Sequence, residues 1–519
     1  MKKAIYLIIA LIGLSAPSCS DSMLDFSPTD SGSGKELLKS ASTAITSVNG
    51  VYRSMWTAGW STTANTHQCF GIAAYNLALD CMADDLIMQS QGNGWFWGDH
   101  CYNVKSNYTS SAFRSYDVWY ANYKWIANVN YIIDAEPEMA GTEADVAYVA
   151  GQAYAIRALC YLNLATWFSR APYNSLTGAS RWNEPCVPVY TTGTSIDTGG
   201  QPRESLRTVY GRIDQDIDRA IELLEKARET TLAENNKSHI NLYVALGIKS
   251  RACLAEGDWD GAFKAAKRVI DEGGYAVGTK SDLTGGMNSL DKQNVMWGAG
   301  IQVADQAGVY AGFFTHMDNK EGAYAKSAPK LISKQLYNRI SATDIRRDWW
   351  DPSDKESPYV SKKFSFANVA SFLGDYIYMR VEEMYFTAAE AALRLDDLKS
   401  ARELMNTVMA ERDPGYSANN RSGTLLGATT TTWTGSFLEN ILTHRRIELW
   451  GEYGRLFDVR RLGQGIDRRT DDGFSEECIS MMNRRNVNIT KADTYDWVLT
   501  IPKAELDANP NINEEDQNP

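Results

Sequence analysis

Two stretches of the sequence resemble each other when they are aligned without a gap. "ACLAEGDWDGAFKAAKRVIDE" begins at Ala252 and "AALRLDDLKSARELMNTVMAE" begins at Ala391. Each stretch reads as one helix, a tight turn at an aspartate, and a second helix with a small residue where the two cross. The pattern therefore predicts a repeat of antiparallel helix pairs. The shared positions are Ala252/Ala391, Leu254/Leu393, Asp258/Asp397, Ala262/Ala401 and Val269/Val408.

Helical periodicity continues outside these two stretches. "GQAYAIRALCYLNLATWF" places Ile156, Leu159 and Trp167 on one stripe, and the segment after Ser205 has the same rhythm, with Ser205 as its N-cap. Small residues at helix crossings are typical of tetratricopeptide units. We therefore predict a mainly α fold, a tetratricopeptide-like helical-repeat scaffold.

Long stretches rich in Gly, Ser, Thr, Asn and aromatic residues separate the helical blocks. Loops of this length are uncommon unless they carry function or small strands of their own. They predict a large, irregular, loop-rich binding face on one side of the scaffold. The stretches span residues 57–111, 169–202, 273–375 and 413–434.

The N-terminus has the pattern of a secretory signal peptide. Lys2 and Lys3 precede an apolar run that ends at Leu14, and small residues follow it. The run is shorter than the ~20 residues that a membrane-spanning helix needs. We expect a signal peptide over residues 1–18 and an anchor and linker over 19–34. A single domain is expected over 35–519, with an N-terminal helical part to 272 and a C-terminal part from 273.

Cys19 follows the signal directly, and the segment resembles a bacterial lipoprotein signal. The resemblance implies that Cys19 becomes the first residue of the mature chain and carries lipid. Two or more acyl chains give stable membrane anchoring, so the protein would lie on a membrane without crossing it. Cleavage near Ala16 by an ordinary signal peptidase is the alternative.

Charge and cysteine content exclude several kinds of partner. The net charge of −12 over 519 residues argues against binding to nucleic acid or to anionic lipid headgroups. None of the cysteines after Cys19 forms a CxxC pair, so we predict no structural zinc site. Cys69, Cys81 and Cys101 share one irregular region in which a disulfide could form, and their pairing stays open. The 15 Trp and 27 Tyr indicate a surface that uses aromatic faces.

The sequence contains little that predicts catalysis. No phosphate-binding, zinc-protease, nucleophile-elbow or EF-hand pattern occurs, and the five histidines lack metal-type spacing, so no cofactor or metal is expected. Only "DWWD" resembles a carboxylate site beside aromatic sugar platforms, with Asp348 and Asp351 around Trp349 and Trp350. Paired acids are usually solvated or salt-bridged, so we predict that the protein is not an enzyme.

The segment "HRRIELWGEYGRLFDVRRLG" is dense in charge. Three pairs of opposite charge have i,i+3 spacing, as ion pairs on helical turns have. We interpret the segment as a structural ion-pair network and not as an anion-binding site. The pairs are Arg445/Glu448, Glu452/Arg455 and Arg455/Asp458.

The order of these motifs resembles the SusD/RagB family of outer-membrane lipoproteins. The resemblance rests on Cys19, on "GQAYAIRALCYLNLATWF", "YMRVEEMYFTAAEAALRL" and "HRRIELWGEYGRLFDVRRLG", and on the ending "IPKAELDANPNINEEDQNP". It implies a non-catalytic protein, lipid-anchored in the outer membrane and exposed at the surface. Such a protein captures oligo- or polysaccharide for a SusC-like TonB-dependent transporter. A peptide-binding member of the family and an all-α glycosidase are the alternatives.

The segment "QGNGWFWGDHCYN" is the leading candidate for glycan binding. In an extended chain Trp95 and Trp97 point the same way, about 6.6 Å apart, which suits a platform under sugar rings. Asn93, Asp99 and Asn103 supply donors and acceptors beside them. In the resembling family, the glycan-binding aromatics fall in a comparable early loop.

A second source of ligand contacts is "VYAGFFTHMDNKEGAYAKS", through Tyr310 and Tyr324. The adjacent Phe313 and Phe314 cannot both face one side, so at least one is expected to be buried. Trp297 lies in a strand-like apolar run and is predicted to belong to the core.

Overall fold

The computed structural model describes residues 34–57, 66–103, 113–195, 197–233, 237–305, 309–492 and 494–519. Cys19 and the predicted signal peptide lie outside the described residues. The fold is mainly helical, as predicted. Its longer helices are α1 (Ala41–Ser54), α2 (Ile72–Met82), α3 (Phe113–Ala135), α4 (Glu143–Phe168), α5 (Leu206–Lys226), α6 (Leu242–Glu256), α7 (Trp259–Glu272), α8 (Val381–Arg394), α9 (Leu398–Ala410), α10 (Phe437–Glu448), α11 (Arg455–Leu462) and α12 (Glu476–Arg484).

Successive helices pack side by side into one continuous stack. Helix α4 lies between α3 and α5, α5 packs on α6, and α6 packs on α7. Helix α8 then packs on α7 although more than a hundred residues separate them, and it also contacts α9 and α10. This arrangement is the predicted tetratricopeptide-like scaffold. Ser205 caps α5 by accepting a hydrogen bond from the N–H of Thr208, as its position predicts.

The two similar stretches form equivalent helix–turn–helix units. Asp258 accepts a hydrogen bond from the N–H of Gly261, and Asp397 accepts one from the N–H of Ser400, each at 3.0 Å. Each aspartate is thus the N-cap of the second helix of its unit. Ala262 is fully buried in a small cluster with Cys253 and Ala391, so the two units also pack against each other.

Replacing Ala262 with leucine is expected to lower the free energy of unfolding by about 1–3 kcal/mol, because added methylenes overpack a close helix crossing. Lys264→Leu is the matched control, since it adds the same side chain at an exposed position of α7. Thermal melts of both variants measure the difference. Equal melting temperatures for the two would contradict the close crossing at Ala262.

The strands are short and lie in the loop-rich part of the chain. Strands β1 (Leu86–Ile87), β3 (Leu331–Ile332), β5 (Val360–Ser361) and β4 (Trp350–Asp351) form an antiparallel sheet in that order. Strands β2 (Val295–Ala299) and β6 (Tyr376–Arg380) form a separate antiparallel pair with register shifts. Short helices accompany them: Gly34–Leu37, Trp97–His100, Lys280–Thr284, Phe313–Met317, Ala323–Ser327, Lys334–Tyr337 and Lys503–Ala508.

The predictions about the core are confirmed, whereas the prediction that residues 57–111 are irregular is wrong. Trp297 is buried in β2, and both Phe313 and Phe314 are buried. Residues 57–111, however, are not irregular throughout, because they contain α2. Nearly every side chain of α2 is buried, so the helix has no polar face that would reveal a helical period. In the described part of the chain, no helix combines the length and apolarity that crossing a membrane requires.

A buried ion-pair network centres on Glu448 at the end of α10. Its carboxylate contacts the guanidinium groups of Arg346, Arg380 and Arg412 at 2.9–3.1 Å, and all four side chains are buried. Burial acts to raise the pKa of Glu448, but Arg412, Arg380 and Arg346 hold that pKa well below its ordinary value. The interpretation as a structural network agrees with these contacts.

The predicted i,i+3 pairing within this segment is wrong. Arg445 pairs with Asp458 at 2.8 Å, and Arg455 pairs with Asp84 at 3.1 Å. Arg445 and Glu448 both lie in α10, Arg455 and Asp458 both lie in α11, and Glu452 lies between the two helices, so helical spacing alone does not decide the pairing. The charged side chains instead reach partners on other parts of the chain.

Candidate functional site

Four aromatic side chains from separate segments of the chain meet at the surface. The rings of Trp95 and His67 are stacked, with centroids 4.6 Å apart and planes 2° from parallel. The ring of Tyr310 meets that of His67 edge-on, with centroids 5.9 Å apart, and the ring centroids of Tyr324 and Trp95 are 6.0 Å apart. We call His67, Trp95, Tyr310 and Tyr324 the aromatic cluster. The structure thus joins the two sources of ligand contacts that the sequence predicted separately.

Exposure makes this cluster a candidate binding surface. Tyr310 is 44% exposed, and the other three rings are half-buried. Asn93, also exposed, accepts a hydrogen bond from the Ser327 hydroxyl beside the cluster. Aromatic faces with neighbouring amide and hydroxyl groups can stack on the C–H face of a sugar ring and bind its hydroxyls.

Close backbone packing holds the loop that carries Trp95. Gly92 has φ +50°, and a Cβ there would lie 2.6 Å from the carbonyl oxygen of Ser327. Only glycine therefore allows the loop to rest on the end of the short helix Ala323–Ser327. The Tyr324 hydroxyl and Nδ1 of His67 also form a hydrogen bond. These contacts fix the relative positions of three rings of the cluster.

His316 supports the aromatic cluster from below. Its buried ring packs on the rings of Phe70 and Tyr324, with centroid distances of 5.6 and 4.9 Å. Its Nε2 donates a hydrogen bond to the His67 carbonyl oxygen at 2.6 Å. Burial and the nearby Lys330 hold the pKa of His316 well below its ordinary value. The ring is therefore neutral at physiological pH, with one N–H to donate to His67.

Trp97 and Asp99 are buried, so the prediction of Trp97 as an exposed platform is wrong, and Asp99 does not offer its carboxylate beside such a platform. Phe96 has φ +60° and the helix Trp97–His100 begins directly after it, so the chain is not extended here. Trp97 turns inward and is only 3% exposed. Asp99 is buried and forms two hydrogen bonds with Arg114, at 2.7 and 2.9 Å.

Asn103 lies at the far end of this turn, where its N–H donates to the Gly98 carbonyl oxygen. Its predicted ligand contact stays a prediction. His67, in contrast, was not predicted from the sequence. It has no pattern of its own, and only the folding of distant loops brings it against Trp95.

The "DWWD" segment does not form an open site with aromatic platforms. The rings of Trp349 and Trp350 are buried, and Trp350 packs against Trp450 with centroids 5.6 Å apart. Asp351 accepts hydrogen bonds from Ser353, which lower the pKa of its carboxyl group. Among the described residues, no group of three or more His, Cys, Asp and Glu side chains could hold a metal ion.

The disulfide that was left open for Cys69, Cys81 and Cys101 is not formed in the structure. These three cysteines are free and buried, as are Cys160 and Cys253 in the helical core. Buried thiols of this kind act as small apolar side chains.

Two family models match most of the described chain. One, described as the SusD family, matches residues 320–519, and the other, described as "Starch-binding associating with outer membrane", matches residues 43–254. The chain belongs to the SusD/RagB family. No curated protein matches it.

Solved SusD-family structures share the whole fold. A SusD-like carbohydrate binding protein from Bacteroides vulgatus is 24% identical, with a TM-score of 0.73, over 92% of this chain and 98% of that one. A SusD superfamily protein from Bacteroides thetaiotaomicron is 22% identical, with a TM-score of 0.72, over 92% and 100% of the two chains. Surface glycan-binding protein A from the same organism, solved with laminarihexaose, is 16% identical, with a TM-score of 0.62, over 92% and 99%.

Proposed function

We propose that this SusD/RagB protein binds oligo- or polysaccharide at the cell surface without catalysis, and that the aromatic cluster is its glycan-binding site. The observation that carries the proposal is the surface cluster of stacked and edge-on rings around His67. Support comes from the family and from a relative of the same fold that was solved with laminarihexaose.

The chemistry of the cluster suits a neutral sugar better than a charged ligand. Trp95 and Tyr310 offer ring faces that bury C–H groups, while Asn93 and Ser327 offer polar groups to hydroxyls. Because Trp95 is already stacked on His67, its ring loses little freedom when a sugar binds. Trp97 and Asp99, being buried, are not part of the proposed site.

The proposal extends to the place of the protein in the cell. We propose that Cys19 carries the lipid that anchors the protein to the outer membrane, with the binding face exposed. The captured glycan would then pass to a SusC-like TonB-dependent transporter. The description of the family model that matches residues 43–254 supports the association with the outer membrane.

Trp95→Ala is expected to weaken glycan binding about tenfold or more, because loss of one stacking ring costs roughly 1–2 kcal/mol. Isothermal titration calorimetry measures the dissociation constants of parent and variant for a panel of laminarihexaose, maltohexaose, xylohexaose and mannohexaose. Because Trp95 lies at the surface, the melting temperature should change little.

Trp182→Ala is the matched control, since Trp182 is also half-buried and packs on Tyr210, away from the cluster. It should bind the hexaoses as the parent does. Unchanged binding by Trp95→Ala would move the site elsewhere. A parent protein that binds peptides and none of the hexaoses would favour a peptide-binding function.

A further inference from the structure

A cavity distinct from the aromatic cluster lies between α1, β2, β6 and the segment 237–241. Its volume is about 1060 Å³, at the upper end of the range of small-molecule sites. Tyr52, Trp297 and Tyr378 form its buried floor, and Trp56 forms part of the wall. Exposed polar residues, among them Asn241, line its rim. We call this space the Tyr378 cavity.

The floor contains a buried polar group that has no partner in the described part of the chain. Tyr378 is 5% exposed, and its hydroxyl has no hydrogen-bond partner among the described residues. Burial raises the pKa of Tyr378 well above its ordinary value, so the hydroxyl stays protonated. A buried, unpaired hydroxyl is costly, and a ligand that hydrogen-bonds to it would remove that cost. The side-chain oxygen of Asn49, also on the cavity wall, likewise has no partner within the described chain.

Charged groups of both signs line the cavity, and several of them have partners within the protein. Arg53 pairs with Asp305 at 3.0 Å, and Asp375 accepts hydrogen bonds from the N–H groups of Leu290 and Ile301. Lys237 donates to a backbone carbonyl at 2.5 Å. The lining has two basic and three acidic side chains, so it has no strong excess of either charge. A neutral ligand with many hydroxyls fits the mixture of aromatic rings, donors and acceptors.

A short stretch of chain joins the cavity wall to the aromatic cluster. Asp305 is on the cavity wall and Tyr310 belongs to the cluster, and five residues span at most roughly 18 Å even when fully extended. A second link runs through the core. The carbonyl oxygen of Met55, on the cavity wall, accepts a hydrogen bond from the N–H of Ile72, and Phe70, two residues earlier, packs on His316 beneath the aromatic cluster. One extended oligosaccharide can therefore contact both places.

We propose that the Tyr378 cavity is a second carbohydrate subsite, which holds a segment of the same glycan chain that stacks on the aromatic cluster. Tyr378 donates a hydrogen bond to a sugar hydroxyl there, and Tyr52 and Trp56 enclose the ring. This inference rests on the proposed glycan-binding function. It adds that the protein selects glycans long enough to reach from the cluster into the cavity.

Gly300→Phe tests the proposal because it fills the cavity from its wall. A Cβ at Gly300 would have its nearest neighbour, Ser238 Oγ, at 3.4 Å, so the backbone can accept a side chain there. The probe is the hexaose of the panel that binds the parent most tightly. We expect Gly300→Phe to weaken its binding about tenfold or more, and Tyr378→Phe to weaken it about fivefold through loss of one hydrogen bond.

Gly211→Phe is the matched control, since a Cβ at this helical glycine meets nothing within 4 Å. It should leave binding unchanged. If Gly300→Phe does not fold, as a thermal melt would show, Tyr378→Phe decides alone. If the folded cavity variants bind the hexaose as the parent does while Trp95→Ala binds it more weakly, the second subsite is overturned. The proposed glycan-binding function would then still stand. A parent that binds none of the hexaoses overturns both.

Discussion

Replacing Glu448 with glutamine is expected to lower the free energy of unfolding by about 3–5 kcal/mol. The carboxylate is the common partner of Arg346, Arg380 and Arg412, and its removal takes one buried counter-charge from each of them. The carboxylates of Asp344, Glu382 and Glu452 remain as their other partners. Glutamine has almost the same volume, so the loss comes from charge and not from packing. Urea denaturation of the parent and the variant measures the difference.

Glu403→Gln is the control, because Glu403 is an exposed carboxylate that lies 3.8 Å from Lys399. Exposed pairs of this kind contribute about 0–1 kcal/mol, so its unfolding curve should match that of the parent. A similarly small effect of Glu448→Gln would mean that the buried network does not stabilise the fold.

The same network predicts how the difference in free energy of unfolding between the parent and Glu448→Gln depends on pH. The pKa of Glu448 is lower in the folded than in the unfolded state, so its contribution is complete above the unfolded pKa of roughly 4.3. The contribution is lost as the pH falls through the folded pKa. The difference in free energy of unfolding should therefore be constant near neutral pH and should become smaller in acid. Asp84, whose pKa its arginine partners lower to about 2 against the effect of burial, adds to the loss of stability over the same acid range.

Trp97→Ala is expected to destabilise the protein by about 3–5 kcal/mol, because it removes a large side chain that is almost fully buried. Trp95→Ala, two residues away, should instead affect binding with little change in stability. A thermal melt and a hexaose titration on both variants separate these roles. Trp97→Phe, which keeps most of the apolar volume, should recover part of the stability. Near-parent stability of Trp97→Ala with lost binding would place Trp97 in the binding site after all.

The repeat scaffold was predictable because its signals are local. An aspartate that caps a helix acts within three residues, and a small residue at a crossing belongs to the same pair of helices. Asp258 and Ala262 therefore carry enough information to place the turn and the crossing. Helix α2 was not predictable in this way. It is buried on nearly all sides and lacks the contrast between polar and apolar faces on which helical periodicity depends.

The binding face was predictable in composition but not in geometry. The choice of Trp95, Tyr310 and Tyr324 followed from their residue types and from the loops around them. The direction of Trp97 depends on a single positive φ at Phe96, which no rule for an extended chain anticipates. The place of His67 depends on contacts between residues far apart in the sequence. Ion-pair partners were missed for the same reason, since Glu448 finds its arginines on other segments.

The pairing of Asp84 and Asp85 with Arg446 and Arg455 joins the segment after α2 to the C-terminal helices α10 and α11. The hydrogen-bonded pair Asp85 and Arg446 lies 361 positions apart, so most of the protein must be synthesised before the early carboxylates meet their partners. Until then, burying them would leave charges unpaired. We therefore expect the segment that carries Asp84 and Asp85 to reach its native position only when α10 and α11 are available. In a nascent chain cut short before α10, this segment would be open to proteases.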